Sequence, residues 1–221
     1  GNNIQATSSG ALAISDIPAL GNLALSTGGH LTQTGPIIAN SEGAVATINS
    51  PGFNVTLADS RNDFNQVTIN SGVNVILTEA NDLQVSNSQV QGNLTIASIG
   101  STGLYSNNIG GFVDAQTGQD IYGGSNTVCN VSFFNATGSI FLDNFNNTFL
   151  GEVDLIGSIV SVKATGDLKL DGGFVSTFLS LVSTGSIIQD ASQGKFNLSG
   201  NAILQAANDI RFTNDQNVFI G

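Results

Sequence analysis

Two carboxylates in this chain are spaced in a way that could do chemistry. Asp59 and Glu79 lie 20 positions apart, so in a chain that repeats with that period they would stack on neighbouring turns of backbone. Stacked carboxylates can hold Ca²⁺, or one of them can be pushed to a raised pKa and act as a proton donor. Arg61 is close enough in sequence to neutralise them. A second copy of the surrounding sequence, found at a shift of 85, has Asn144 and Ala164 at the matching positions. The pair is not a feature of every repeat, and the expectation for Asp59 and Glu79 is a solvated turn: weak metal candidates, with no metal or other cofactor required. Asp143 and Lys163 are also 20 apart and read as an exposed ion pair of little energetic weight.

The other reactive side chains form no catalytic constellation. His30 is the single histidine, follows Gly28-Gly29 and has no Ser or Cys in a triad motif, so a polar turn is expected there. Cys129 is alone, which excludes an intrachain disulfide and a thiolate metal cluster. Asn-x-Ser/Thr sequons begin at Asn54, Asn93, Asn130, Asn135, Asn146 and Asn197; in a chain rich in Asn, Ser and Thr they establish acceptor chemistry only. Thr32-x-Thr34 has no stacked Thr neighbours, which sets aside an ice-binding face. Both tyrosines, Tyr105 and Tyr122, fall in one stretch, and an aromatic ring with a polar tip is a common surface anchor. They are the candidate binding residues.

The elements that would position these residues are short strands. Asn54-Val55-Thr56-Leu57, Asn74-Val75-Ile76-Leu77 and Asn93-Leu94-Thr95-Ile96 repeat the pattern Asn-apolar-x-apolar at steps of 20 and then 19 positions. Alternation with period two means one buried and one exposed face, hence strands. Strands recurring about every 20 residues between Gly, Asn, Asp and Ser are most economically laid beside one another in a coil, a parallel β-solenoid. Asn54, Asn74 and Asn93 would then stack as an amide ladder. A longer period overlies the short one. Leu57 to Ile96 can be laid on Leu142 to Leu181 with a shift of 85, placing Asn62 on Asn147 and Phe64 on Phe149; Phe219 recurs at the same register, and all three rings are expected in the core. The corners Ala80-Asn81-Asp82, Thr165-Gly166-Asp167 and Ala207-Asn208-Asp209 carry turn residues immediately before a strand.

Composition excludes several classes. The chain is 40% hydrophobic and 10% charged, with ample apolar content for a core and no sign of disorder. A net charge of −11 with five Lys plus Arg argues against nucleic acid and anionic membranes as partners. No apolar run reaches the roughly 18 residues of a membrane helix. Met is absent altogether, so the chain is expected to be one segment, 1–221, of a longer product.

The motif Arg61-Asn62-Asp63-Phe64-Asn65-Gln66-Val67-Thr68-Ile69, followed by Ala80-Asn81-Asp82-Leu83 and Gly92-Asn93-Leu94-Thr95-Ile96, resembles the repeats of filamentous haemagglutinin-like exoproteins, the large adhesins of two-partner secretion in Gram-negative bacteria. The likeness covers most of the chain. It implies a right-handed parallel β-helix, export as an extended chain and a rod-like stalk at the cell surface. The Asn-Pro-Asn motifs of that family's secretion domain do not occur around Pro18, Pro36 or Pro51, which would place this segment in the repeat shaft.

The expectation is therefore an all-β right-handed parallel β-helix of about 20 residues per coil, roughly 11 coils and ~50 Å long. It would serve as a non-catalytic shaft segment of a secreted or cell-surface adhesin-like exoprotein, packed on neighbouring repeats of the same protein. A host-cell or carbohydrate receptor and end-to-end self-association are the further partners expected. The alternative is a carbohydrate-binding or polysaccharide-cleaving β-helix. Ile96 and Leu142 are 46 positions apart, where Leu25 and Leu57 are 32 apart; the excess of about 14 is less than a coil and predicts an insertion loop within 98–127.

Overall fold

In the computed structural model, residues 3–220 are described, and Gly1, Asn2 and Gly221 lie outside them. Among the described residues every element is a β-strand and every strand pairing is parallel. The strands stack about 19 residues apart in a β-solenoid of about 11 turns. One regular coil runs through Leu94–Ser98, Thr102–Tyr105 and Asn108–Ile109. Each residue of it lies beside the residue 19 positions later: Leu94 by Val113, Thr102 by Ile121 and Asn108 by Thr127.

Alternation builds the core. In Leu94–Ser98 the first, third and fifth side chains are buried, and the same inward positions recur coil after coil as Leu57, Leu77, Ile96, Ala115, Phe134 and Leu155. Each fully buried Leu or Ile contributes about 1.5–3 kcal/mol. Phe134 and Phe149 meet edge to face at 6.0 Å, and Phe134 lies beside the small Ala115 of the preceding coil. Phe64 and Phe149 are in the core as expected, whereas Phe219, 52% exposed, is at the last described coil, beside Leu198 in the register and edge-on to Phe212, 5.7 Å away.

Coil length is not constant, and this corrects the expectation for 98–127. Leu31 lies beside Val55 and Leu23 beside Ala46, steps of 24 and 23 positions. The interval from Ile96 to Leu142 instead holds two coils of 19. The surplus of about 14 residues is thus two short coils measured against one long one. The stretch forms the strands Thr102–Tyr105, Asn108–Ile109, Val113–Thr117, Ile121–Gly124 and Thr127–Val128, and no loop leaves the stack. Its inward row includes Ala115 and Gly123, the register partners of Ile96 and Leu104, too small to give the Asn-apolar-x-apolar signature. Further along, Glu152–Ala164 and Leu168–Ser183 run through a corner as continuous strands, with register shifts between Val153 and Leu155 and between Gly157 and Ile159.

Candidate functional site

The structure gives the two carboxylates different partners. The carboxylate of Asp59 accepts from the Arg61 guanidinium at 2.7 and 2.9 Å, which holds it below the usual Asp range. Glu79 is 1% exposed, so the expected solvated turn is wrong for this residue. It occupies the last inward position of Val75–Glu79, and its side chain enters the corner beneath it. There Oε2 accepts the Phe64 N–H at 2.9 Å, while Oε1 accepts those of Ala80 and Asn81 at 2.9 and 3.3 Å. Burial pushes the carboxyl up to about 8 against the pull of these three donors, and the nearby Asp63 adds to the rise. Glu79 is a plug for corner N–H groups. No cluster of three or more metal-ligating side chains occurs among the described residues.

Lys163 and Asp143 are not paired either. The Lys163 ammonium lies over the Phe145 ring, 5.4 Å from its centre. His30 meets Phe53 edge-on, and its Nδ1 accepts the Asn54 N–H at 3.2 Å, a structural role in a turn. Cys129 is exposed and unpaired among the described residues.

Side-chain amides make up much of the polar interior. The expected ladder is present: Asn54 Oδ1 accepts from the Asn74 backbone at 3.2 Å, Asn74 Oδ1 from that of Asn93 at 3.1 Å, and Asn93 Oδ1 from that of Phe112 at 3.1 Å. A second, buried ladder has no counterpart in the sequence expectations. Asn107 Oδ1 accepts from the Ser88 backbone, Asn126 Oδ1 from Asn107 and Asn147 Oδ1 from Asn126, each at 3.1 Å. The long repeat holds chemically, since Asn62 Nδ2 donates to the Leu57 and Thr78 carbonyls and Asn147 Nδ2 to those of Leu142 and Lys163. The corner Asp residues also bridge coils: Oδ1 of Asp82, Asp120 and Asp167 accepts the backbone N–H of Ser101, Ser139 and Ser186 at 2.7–2.8 Å. Gly100 and Gly185 sit against the carboxylates of Asp82 and Asp167, where any Cβ would collide with the Oδ1 atom.

One arrangement occurs twice. Gln33 Nε2 donates to the Gly35 carbonyl and to Asn62 Oδ1, Asn62 Nδ2 donates back to Gln33 Oε1, and Asn62 Oδ1 takes the Ile37 N–H. Near the other end, Gln189 Nε2 donates to the Gly194 carbonyl, Asn217 Nδ2 to Gln189 Oε1 at 2.6 Å, and Asn217 Oδ1 takes the Phe196 N–H at 2.8 Å. A shared Gln–Asn clasp thus closes the turn in two distant parts of the stack.

Two patches on the outer faces could meet a ligand. Tyr105 and Tyr122 come together on adjacent coils, ring centres 6.1 Å apart, with Gly124 beside Tyr105 and Gly103 beside Tyr122 in the register. Phe141 follows Tyr122 on the next coil and is exposed. Burial raises both phenol pKa values, so both tyrosines are neutral hydrogen-bonding groups near pH 7. The other patch is a shallow groove of ≈ 290 Å³ over Phe133, lined also by Asp114, Gln116, Asn135, Asp154 and Ile156. Sequence reasoning missed it, because outward positions carry no periodic signal.

A stack of parallel coils tied by repeated amide and carboxylate bridges, and carrying its exposed aromatics on the outside, defines a β-solenoid repeat protein. The chain belongs to a family described as repeats of unknown function (DUF5649), which matches residues 1–71 and 157–221. The two matched stretches are the ones that hold the Gln33–Asn62 and Gln189–Asn217 clasps. No curated protein and no solved structure matches the chain.

Proposed function

We propose that this chain is a stretch of shaft in a large secreted or cell-surface exoprotein of the adhesin type, exported by two-partner secretion from a Gram-negative bacterium. In this reading it has no chemistry of its own, needs no cofactor, and packs end on against neighbouring repeats. The observation that supports it most is the unbroken stack, with the same clasp in both family-matched stretches. A scaffold of this kind holds surface groups at fixed intervals along a line. Tyr105 and Tyr122 are the residues it would present to a host-cell or carbohydrate receptor, since they pair on adjacent coils with glycine beside them. Replacing both with Ser in the full-length protein should cut cell attachment by at least about tenfold with unchanged melting; undiminished attachment would remove this contact from the reading. A carbohydrate-binding or polysaccharide-cleaving β-helix is the second reading, favoured by the groove over Phe133.

The same reading extends to self-association. Ile203, Ile210, Val218 and Phe219 are exposed on the last described coils, while Ile4, Ala6, Leu12 and Ile17 are half-buried on the first ones. A second copy's Ile4–Ser8 would fit on Asn201–Ala206 as Gln66–Ser71 fits on Val45–Asn49. Such head-to-tail contacts propagate instead of closing. The net charge of −11 opposes them, and ~0.15 M salt shortens its reach to about 8 Å. Light scattering from the 221-residue chain should therefore rise with both salt and protein concentration, and a strict monomer throughout both series would rule the contact out.

A further inference from the structure

We propose that the groove over Phe133 binds a neutral oligosaccharide lying along the axis of the stack, one sugar unit to a coil. The inference deepens the carbohydrate-binding reading and does not depend on the shaft reading.

Register carries the first part of the argument. Asp114, Phe133 and Asp154 are direct partners on three successive coils, and Gln116, Asn135 and Ile156 form a parallel row two residues along on the same outward side. The groove thus runs across the strands, along the axis, with a repeat of ~4.8 Å per coil. That step is close to the length of one hexose unit in an extended chain.

The lining then selects the chemistry. Phe133 is 40% exposed, and Ile156 is exposed beside it; such surface suits the C–H face of a sugar ring. Around it stand acceptors and donors for hydroxyl groups. The Gln116 amide donates to both oxygens of Asp114 at 3.2 and 3.4 Å, which fixes the outer edge of the groove. Asn135 presents an exposed amide that can both donate and accept. At the far side, Asp154 also lines the groove. Its Oδ1 is shielded from solvent, so its other carboxylate oxygen is the acceptor that a sugar hydroxyl can reach.

Charge narrows the class further. Asp114 and Asp154 line the groove and no Lys or Arg does, so chains of uronic acids or sulfated sugars would be repelled. An isolated cation would pair with the carboxylates and leave the ring and the Asn135 amide unused. A neutral chain uses all of them.

The test is calorimetric titration of the 221-residue protein with neutral gluco-, manno- and xylo-oligosaccharides from monosaccharide to hexasaccharide, with uronic-acid oligomers in parallel. Affinity for one neutral series should tighten by at least about tenfold between monosaccharide and trisaccharide and then level off, because three coils form the groove. Phe133→Ala should weaken binding by about tenfold or more, and the exposed Asn135→Ala by a few-fold, with the circular dichroism and melting of the parent. Binding unchanged in both variants would overturn the groove while leaving a carbohydrate-binding protein. Tighter binding of the uronic-acid oligomers would overturn the assignment of a neutral ligand. No binding of any oligosaccharide would overturn both the groove and the carbohydrate-binding reading.

Discussion

The folded protein is expected to become less stable as pH rises from about 4.5 to about 8, and Glu79→Gln to lose most of that dependence. Glu79 has its pKa raised on folding, from an ordinary 4.5 to about 8. Between those values the native state holds a proton that the unfolded chain has released. Since the unfolded state then binds fewer protons, stability falls with rising pH through this window and is flat on either side. The full effect is at most on the order of 5 kcal/mol, and the three backbone donors on the carboxylate work against it. Asp154, also raised by burial, acts in the same direction. Urea unfolding across this pH range measures the slope. At acid pH the parent's neutral acid keeps a hydroxyl oxygen that can still accept an N–H, whereas the amide nitrogen of Glu79→Gln cannot, so the variant is less stable than the parent there and its curve is nearly level. A parent protein whose stability climbs between these pH values would show that the buried carboxylate is ionised throughout.

Asn126→Ala should cost about 3 kcal/mol, against about 1 kcal/mol for Asn93→Ala, although both residues are rungs of amide ladders. The difference lies in burial. Asn126 is buried, and its Oδ1 takes both the backbone N–H and the Nδ2 of Asn107, at 3.1 and 3.0 Å. Its own Nδ2 donates to the Leu104 carbonyl at 2.9 Å. Truncation leaves two donors and one acceptor unpaired with no water at hand. Asn93 stands at a half-exposed corner, where the Phe112 N–H it leaves behind can be hydrated. Thermal or urea denaturation of the two variants decides the point, and equal losses would mean that the interior ladder is no more than a backbone spacer.

Much of the architecture could be read from residue order, for a physical reason. Inward positions on a parallel coil must be apolar every second residue, so Val55, Leu57, Val75, Leu77, Leu94 and Ile96 announced both the strands and their spacing. The Asn54–Asn74–Asn93 ladder followed, because each Asn precedes such a strand. What escaped was whatever depends on contacts between coils of unequal length. Glu79 looked like a solvated residue because the N–H groups that hold it include that of Phe64, 15 positions earlier. Gln33 and Asn62 are 29 positions apart and still meet, a separation that matches no simple period. The coil through Val113 and Ile121 was hidden because Ala115 and Gly123 stand in register with the inward Ile96 and Leu104, where branched side chains are the rule. The site over Phe133 escaped for the opposite reason. Its residues point outward, where solvent imposes no pattern.

The strands lie across the long axis, and among the described residues the backbone ladder of each coil runs to the one before and the one after. A pull on the two ends of the chain therefore does not load all the backbone hydrogen bonds together, as shearing two long strands would. It peels one terminal coil at a time. Each regular coil that yields releases about 19 residues as about 65 Å of slack, and the coils beneath it keep their bonds. The rod gives way in steps, a length of cable released under load rather than a shaft that snaps.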